Sequence, residues 1–252
     1  MTTFAQKFSR KEMYKTEIDN YLKKTGYREF VPKAALFDMD GVLYNSMPNH
    51  AYSWHHSMKA FGIEMSEADA YAHEGMRGVE TIKKMVKEQK GIDITDEESQ
   101  MMYDAKSNLF ATRPEAKIME GVKELQRKMK ADGLKIVVVT GSGQQSLLDK
   151  LTKDFEGLIE PGMIVSSHDV KRGKPNPEPY IKGLAKAGVN PWEAVVVENA
   201  PLGVRAAQAA AIFTVAVNTG PLPNKILADE GADLIFDKMT DFRDCWHLLS
   251  QR

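Results

Sequence analysis

The sequence predicts an α/β protein built on a doubly wound parallel sheet, with a helical module inserted after the first strand. Two observations support this fold class. From residue 115 onward, short apolar runs alternate with stretches of helical periodicity, which is typical of a parallel sheet covered by helices on both faces. Residues 47–114 show helical patterning with almost no strand signal, so we expect them to form the inserted module.

The N-terminal part of the chain is predicted to be helical. Apolar side chains recur among charged ones over residues 9–24, which favours a surface helix that ends at Gly26. Residues 1–30 are therefore expected to be a helical extension of the fold. A short apolar run from residue 34 then forms the first strand and stops at Asp38. Four helices separated by glycines are predicted in the inserted module, at residues 50–61, 66–73, 79–89 and 95–110.

Residues 31–46 and 115–252 are predicted to form the core. Its later strands are expected at residues 136–139, 163–165, 194–197, 212–217 and 234–236. Its helices are expected at residues 144–153, 177–187, 201–210 and 225–230. In open parallel sheets of this kind, ligands bind at the carboxyl ends of the strands. The residues that follow each strand are therefore the first candidates for chemistry.

The composition limits the classes of function. The chain has 34 basic and 35 acidic residues, and so lacks the overall field that attracts nucleic acid or an anionic membrane. Its single cysteine, Cys245, excludes an intramolecular disulfide and fits a reducing compartment. No stretch has the length and apolarity of a signal-peptide core or a membrane span. We therefore expect a cytoplasmic protein that acts on small molecules; a monomer is favoured, although the sequence leaves the oligomeric state open.

Two carboxylates, Asp38 and Asp40, stand directly after the first strand and are followed by Gly41. Side chains alternate along an extended backbone, so both carboxylates point to one side, and the glycine allows the chain to turn. Two carboxylates held together repel unless a cation or a shared proton separates them, which points to Mg²⁺ and to one nucleophile and one acid or base. A helix cap followed by a turn residue would give the same spacing, so the pair alone does not decide.

Polar residues suited to phosphate chemistry also follow the later strands. They share the carboxyl edge of Asp38, and they are Thr140, Gly141, Ser142, Lys174, Glu198 and Asn199. The first three can present donors to an anionic oxygen, although an ordinary capped turn has the same composition. The lysine stands in a proline-rich stretch that restricts it and could place an ammonium at a phosphoryl group, or it could lie in a solvated loop. The last two could help to hold a metal, and the asparagine could also cap the next helix.

These four segments, in this order, resemble the motifs of the haloacid dehalogenase-like superfamily of phosphatases and phosphomutases. The resemblance covers residues 33–240 and implies a Rossmann-like core with an inserted α-helical cap. It implies that Asp38 is the nucleophile, which becomes an aspartyl phosphate. Asp40 would protonate the leaving group and later activate the attacking group, while its backbone carbonyl binds Mg²⁺.

The same resemblance assigns the remaining residues of the four motifs. Thr140 and Lys174 would hold the transferring phosphoryl group, with Gly141 and Ser142 beside them, and Lys174 would also restrain the nucleophile. Mg²⁺ would be the cofactor, and the ligands of the core would be Asp38, Asp40, Glu198 and Asn199.

The helical module is similar to the cap of the β-phosphoglucomutase-like branch of this superfamily. A cap of this kind closes over the site, selects the substrate and excludes water during phosphoryl transfer. By this resemblance, Ser46 and His50 would help to position Asp40. Lys106 and Arg77 are basic cap residues that could contact a substrate phosphate, and both could equally be solvated charges.

Two departures from the family pattern bear on the substrate. The fourth motif usually has Asp at its second position, where this chain has Asn199, which coordinates through oxygen but brings no charge. In the cap, Glu74 occupies a position where sugar phosphomutases have lysine. Because a carboxylate can bind a second phosphate only through a cation, Glu74 could restore the charge lost at Asn199 as a further Mg²⁺ ligand. It could equally be an exposed acid in a loop.

This combination in cap and core looks close to a bacterial inorganic pyrophosphatase of the same branch, so hydrolysis of pyrophosphate is the expected activity. A small sugar-phosphate phosphatase and a β-phosphoglucomutase are the alternatives within the family. The alternative from a different class is a catalytically silent protein that binds a phosphate ligand. Such a protein would be expected to have lost its nucleophile or its lysine, and both Asp38 and Lys174 are present.

Overall fold

One parallel sheet forms the centre of the protein, described by a computed structural model that covers residues 4–160 and 162–250. The strands are β1 (Ala34–Phe37), β2 (Lys135–Val139), β3 (Ile164–Val165), β4 (Ala194–Glu198), β5 (Phe213–Val217) and β6 (Leu234–Phe236). They pair in the order β3-β2-β1-β4-β5-β6, and every pair is parallel. This sheet confirms the predicted Rossmann-like fold class. Because β1 lies between β2 and β4, its carboxyl end is the point where the strand order reverses.

Helices cover both faces of this sheet. In chain order they are α1 (Phe4–Thr25), α2 (Met47–Ala60), α3 (Glu67–Ala72), α4 (Gly78–Lys90), α5 (Asp96–Ala111), α6 (Val122–Ala131), α7 (Gln145–Asp154), α8 (Glu178–Ala187), α9 (Pro201–Ala209), α10 (Asn224–Asp229), α11 (Met239–Cys245) and α12 (His247–Ser250). Successive residues of β1 serve opposite faces, since Leu36 belongs to one apolar layer and Phe37 to the other. A sheet that is buried on both faces requires strands with apolar side chains on both sides. The runs of Val and Ala in these strands meet this requirement.

Four of these helices differ from the expectation, since α11 and α12 were not predicted, α6 was not predicted either, and α1 has other bounds. Helix α6 was not predicted, because its lysines obscure a regular apolar face in which Val122, Leu125 and Met129 are buried. Helix α1 is longer than predicted and is more than a surface helix. Its residues Ile18 and Tyr21 are buried in the same apolar layer as the inner strands.

Helices α2 to α5 form a cap with an apolar cluster of its own. Trp54 and Met58 of α2 pack there against residues of α4 and α5. The cap helices begin at strong local signals: the side chain of Ser66 caps α3, and the side chain of Thr95 caps α5, each in a reciprocal capping box. Gly91 ends α4 in the left-handed conformation. The predicted helical insertion is thus present between β1 and α6.

Among residues 4–160 and 162–250, no helix combines the length and apolarity that crossing a membrane would need.

Candidate active site

The carboxyl end of β1 carries the aspartate pair. Asp38 continues the strand, since its backbone N–H donates to the carbonyl of Val197 in β4 at 3.0 Å. The chain then turns at Gly41, whose φ of +78° lies in the left-handed region. A Cβ atom there would also stand 2.0 Å from Nδ2 of Asn199, so both conformation and space require glycine. The pair therefore lies at the switch point of the sheet, where ligands bind in folds of this kind.

Lys174 reaches Asp38 from the loop before α8. Its Nζ donates to Oδ1 of Asp38 at 2.5 Å, to Oε1 of Glu198 at 2.6 Å and to the carbonyl of Val139 at 3.1 Å. Burial acts to lower the pKa of Lys174, but the two carboxylates outweigh it and hold that pKa above its ordinary value. The lysine is therefore a fixed cation beside Asp38, which is the arrangement that a transferring phosphoryl group would need.

Glu198 is held in place by hydrogen bonds to both of its oxygens. Oε1 accepts from Lys174 and from the hydroxyl of Tyr180 at 2.7 Å, and Oε2 accepts from the backbone N–H groups of Asn199 and Ala200 at 2.9 and 3.1 Å. A Cβ atom at Gly203 would come within 1.7 Å of Oε1, so the helix that follows packs directly on the carboxylate. Because both oxygens are occupied, the structure does not present Glu198 as a free metal ligand.

Tyr180 is a residue of the site that the sequence analysis missed. It lies on the buried face of α8 and is fully buried, and its hydroxyl donates to Glu198. The available signal was its chemistry: a buried tyrosine hydroxyl needs a partner, and this one stands six residues after the candidate lysine, Lys174. It acts as a positioning residue, since it contacts the carboxylate that orients that lysine.

Asp40 turns its side chain toward the cap. Its Oδ1 accepts hydrogen bonds from Oγ of Ser46 at 2.6 Å and pairs with Nε2 of His50 at 3.1 Å. Nδ1 of His50 lies 2.7 Å from Nζ of Lys106. A lysine ammonium can only donate, so Nδ1 accepts and Nε2 carries the proton that is donated to Asp40. The structure thus joins the predicted residues Ser46, His50 and Lys106 in one network, in which Lys106 and His50 form a chain of hydrogen bonds to Asp40 and Ser46 adds a second donor.

This chain of hydrogen bonds favours the ionised form of Asp40. Burial acts to raise the pKa of Asp40, but the pairing with His50 and the hydrogen bond from Ser46 outweigh it and lower the pKa to about 2. Burial and the neighbouring Lys106 lower the pKa of His50, which keeps the imidazole neutral. Asp40 is therefore a carboxylate at neutral pH, able to accept a proton from an attacking water.

Lys106 is buried inside the cap rather than solvated. Its Nζ lies 5.1 Å from the ring centre of Trp54, 5.0 Å from that of Phe110 and 5.8 Å from that of Tyr103. Burial lowers the pKa of Lys106 to about 8, although Asp40 acts to raise it. Contact with a substrate phosphate, suggested by the sequence, stays a prediction; the side chain does line the cavity over Asp38.

Replacing Lys106 with methionine is expected to stabilise the protein while lowering its activity. A folded-state pKa of about 8, against 10.5 for a free lysine, means that the folded state disfavours the charged form. The unfolded chain then binds more protons between these pH values, so wild-type stability increases with pH across that window. We expect the free energy of unfolding of K106M to exceed that of wild type by about 1 to 3 kcal/mol at pH 7. The difference should be smaller at pH 9.5. Urea unfolding at both pH values measures this, and a variant less stable than wild type at pH 7 contradicts it.

The loop after β2 offers hydrogen-bond donors to the cavity. Oγ1 of Thr140 accepts from the backbone N–H of Ser142 at 3.0 Å, and Oγ of Ser142 accepts from the N–H of Gln144 at 3.3 Å. Each hydroxyl uses its oxygen as an acceptor, so its hydrogen is free to donate to an anion. Both side chains are buried at the sheet edge that carries Asp38, and Gly141 and Ser142 also line the cavity over Asp38.

Glu74 reaches the core from the loop between α3 and α4. Both of its carboxylate oxygens lie 3.2 Å from Nδ2 of Asn199, and its side chain is buried. Burial and the charges of Asp38 and Glu198 raise the pKa of Glu74 well above its ordinary value. The cap thus adds a carboxylate to a place already crowded with negative charge, which is unfavourable without a compensating cation.

The donor atoms at this place fit a divalent cation. Oδ1 of Asn199 is buried and has no hydrogen-bond partner. An amide oxygen, two nearby carboxylates and a backbone carbonyl are the hard oxygen ligands that Mg²⁺ prefers. No set of three or more His, Cys, Asp and Glu side chains within residues 4–160 and 162–250 is arranged as a complete metal site. The candidate ligand set is therefore mixed, with Asn199 supplying one of the oxygens.

Arg77, which was predicted from the sequence to contact a substrate phosphate, does not line the cavity over Asp38. Its Nη1 donates to the carbonyl of Lys171 at 3.1 Å and lies 3.6 Å from Oε1 of Glu80. The guanidinium therefore joins the cap to the core at the edge of the site.

The cavity between cap and core that lies over Asp38 is small. Its volume is about 60 Å³, and the polar side chains around it include Asp38, Asp40, His50, Glu74, Lys106 and Ser142. A cavity needs on the order of 10–15 Å³ to hold one water molecule, so this space holds a few waters or a small anion.

Comparison with known proteins shows the family of this chain. The family model described as haloacid dehalogenase-like hydrolase matches residues 35–217. Hexitol phosphatase A of Escherichia coli (strain K12) is 31% identical over 187 residues, which are 74% of this chain and 83% of that protein. The putative pyrophosphatase PpaX of Clostridium perfringens is 30% identical over 218 residues, which are 84% of this chain and 96% of that protein.

A solved structure extends the likeness to the whole fold. The structure described as a putative β-phosphoglucomutase from Bacteroides vulgatus is 50% identical in sequence and superposes with a TM-score of 0.91. It covers 95% of this chain, and this chain covers 97% of it. The family match spans the sheet from β1 to β5, including the cap and all four motifs. The chain belongs to the haloacid dehalogenase-like hydrolase family.

Proposed function

We propose that the protein is a Mg²⁺-dependent phosphohydrolase that hydrolyses inorganic pyrophosphate through an aspartyl-phosphate intermediate. The observation that carries this proposal is the position of Glu74. Its buried carboxylate stands against Asn199 in the core, where a lysine would be needed to receive the far phosphate of a sugar bisphosphate directly. A negative side chain at this point favours a cation between cap and substrate, and it leaves little space for a sugar.

The core residues fit the two steps of such a reaction. Oδ of Asp38 would attack phosphorus and form a new P–O bond, while the bond to the leaving phosphate breaks. Lys174 and the hydroxyls of the loop after β2 would hold the transferring group. In the second step, Asp40 would take a proton from water as that water attacks the aspartyl phosphate, which releases the second phosphate and restores Asp38.

The state of Asp40 favours an anhydride as substrate. Ser46 and His50 both direct hydrogen bonds at Oδ1, which stabilises the carboxylate rather than the acid. A sugar alkoxide is a poor leaving group and needs a proton from a general acid, whereas a phosphate leaves readily without one. A carboxylate at this position therefore suits release of phosphate better than release of an alcohol.

The metal would lie between the nucleophile and the cap. Asp38, the backbone carbonyl of Asp40, Oδ1 of Asn199 and Glu74 would hold Mg²⁺, which when bound neutralises charge on the phosphoryl oxygens. Glu74 would thereby link metal binding to cap closure, because it is the one of these ligands that comes from the cap.

The second candidate function is a phosphatase or mutase for small sugar phosphates. It is supported by the names of two similar proteins, the hexitol phosphatase and the putative β-phosphoglucomutase. A catalytically silent binding protein has no support from the site, where Asp38 and Lys174 are present and paired.

A comparison of substrates decides between these functions. Release of phosphate would be measured with Mg²⁺ for pyrophosphate, β-glucose 1-phosphate and a panel of small phosphomonoesters. We expect kcat/KM for pyrophosphate to exceed that for every ester by about tenfold or more, with no glucose 6-phosphate formed. Faster turnover of a sugar phosphate would replace the proposal by the phosphatase, and isomerisation of glucose 1-phosphate would replace it by the mutase.

A further inference from the structure

The cap loop of residues 74–77 lies directly on two glycines of the core. A Cβ atom at Gly141 would stand 2.9 Å from the carbonyl oxygen of Gly75 and 3.4 Å from that of Met76. A Cβ atom at Gly173 would stand 2.7 Å from Cγ and 3.0 Å from the backbone nitrogen of Arg77. Real Cβ atoms essentially never come within 3.0 Å of other atoms, so the contacts at 2.9 and 2.7 Å mean that side chains at these positions would push the cap loop away.

Space alone explains the need for glycine at these two core positions. Neither Gly141 nor Gly173 has a positive φ, so alanine would fit both backbones without strain. The atoms that alanine would meet at Gly141 belong to the cap backbone and cannot rotate away. The cap backbone can therefore lie this close to Gly141 only because that residue has no side chain.

This interface borders the cavity over Asp38, since Gly75, Met76 and Gly141 line that cavity. Gly141 lies between Thr140 and Ser142 in the loop after β2, and Gly173 immediately precedes Lys174. On the cap side, Gly75 follows Glu74 directly, so any displacement of Gly75 also moves the carboxylate that meets Asn199 at 3.2 Å. The distance between the cap backbone and these two glycines thus sets both the height of the cavity and the reach of Glu74.

We propose that Gly141 and Gly173 are specificity-determining residues. Their missing side chains let the cap loop close far enough to enclose a small phosphoanhydride, with Glu74 in reach of the core, and to exclude phosphate esters with larger carbon leaving groups. This inference rests on the proposed function, since it explains how the same site selects pyrophosphate.

Alanine substitution of each glycine tests this proposal. In G141A the cap loop must retreat by about half an ångström to restore ordinary contact, and misplacement on this scale costs about tenfold in catalysis. We expect kcat/KM for pyrophosphate to fall about tenfold more than kcat/KM for p-nitrophenyl phosphate, so the ratio of the two values is the readout. G173A should change the ratio of the two values in the same direction.

Gly220 provides the matched control. It also faces the cap and also lacks a positive φ, but a Cβ atom there would meet only the ring of Tyr71, at 3.1 and 3.3 Å. Because a ring edge can move, G220A should keep the wild-type ratio. An unchanged ratio in G141A, or equal losses on both substrates, overturns the proposal even if the wild-type enzyme prefers pyrophosphate.

A second measurement separates this proposal from the proposed function. Hydrogen exchange of the backbone amides in residues 74–78 reports the docking of the cap loop without any substrate. Faster exchange in G141A than in G220A supports the close interface. Equal exchange in the two variants overturns it. If wild type hydrolyses a sugar phosphate faster than pyrophosphate, the proposed function is rejected. The exchange rates of G141A and G220A still decide whether the missing side chain at Gly141 controls the docking of the cap loop.

Discussion

The D38N variant is expected to lose phosphate release by about 10⁴-fold or more. The introduced amide would keep the shape of the side chain but could not form an acyl phosphate, because an amide is a very weak nucleophile. The fold should survive, since Lys174 keeps its ion pair with Glu198 at 2.6 Å. Burial raises the pKa of Asp38, and the charges of Glu198 and Asp40 add to that effect although Lys174 opposes it. Removing the charge should therefore leave the free energy of unfolding unchanged or slightly higher.

Rapid quenching with labelled pyrophosphate measures this prediction directly. Wild type should carry label on a peptide that contains residue 38, and D38N should carry none. Asp149→Asn is a suitable control, because Asp149 is an exposed acid of α7 whose Oδ1 accepts a hydrogen bond from Nε2 of Gln145 at 2.7 Å. Turnover above about one per cent of wild type in D38N, after mass spectrometry has excluded deamidation, would reject Asp38 as the nucleophile.

The location of the candidate site could be predicted because it depends on topology. In a parallel sheet the carboxyl ends of neighbouring strands meet at one edge, so residues after β1, β2 and β4 had to come together once the strands were recognised. Asp38, Thr140 and Glu198 accordingly lie within one site. The alternation of apolar strand runs with helical periodicity is a property of the sequence itself, so this part of the fold could be predicted from it.

The hydrogen bonds within the site could not be predicted, because they depend on side-chain packing between distant segments. The sequence placed Glu198 among the metal ligands, but the hydroxyl of Tyr180 and two backbone N–H groups already occupy its oxygens. Arg77 has the right charge to hold a phosphate, yet it bonds to the carbonyl of Lys171 at the interface. The close contact at Gly141 involves the backbone of another segment, for which a sequence pattern gives no signal.

The E74Q variant is expected to lose about 10² to 10³-fold in kcat/KM for pyrophosphate. Glutamine keeps an oxygen that can accept from Nδ2 of Asn199, but it removes the negative charge that would attract Mg²⁺ to the cap. Hydrolysis of p-nitrophenyl phosphate, which carries one phosphate, should fall much less. The Mg²⁺ concentration needed for half-maximal activity should rise in parallel, because a cation ligand has been lost.

A measurement without substrate makes the same test independent of catalysis. In the absence of Mg²⁺, E74Q should melt at a higher temperature than wild type, because burial and the charges of Asp38 and Glu198 disfavour an ionised Glu74. Added Mg²⁺ should raise Tm in wild type and much less in E74Q, since a ligand stabilises a protein according to its affinity for the folded state.

Glu67→Gln is the matched control, since Glu67 is an exposed acid in the first turn of α3, in the same cap. It should behave as wild type in every measurement. If E74Q lost activity equally on pyrophosphate and on monoesters, with an unchanged response of Tm to Mg²⁺, Glu74 would be a structural residue of the cap. The choice of pyrophosphate would then have to come from the size of the cavity alone. Because Glu74 lies beside Gly75, which rests on Gly141, this outcome would leave the close contact between cap and core as the remaining source of specificity.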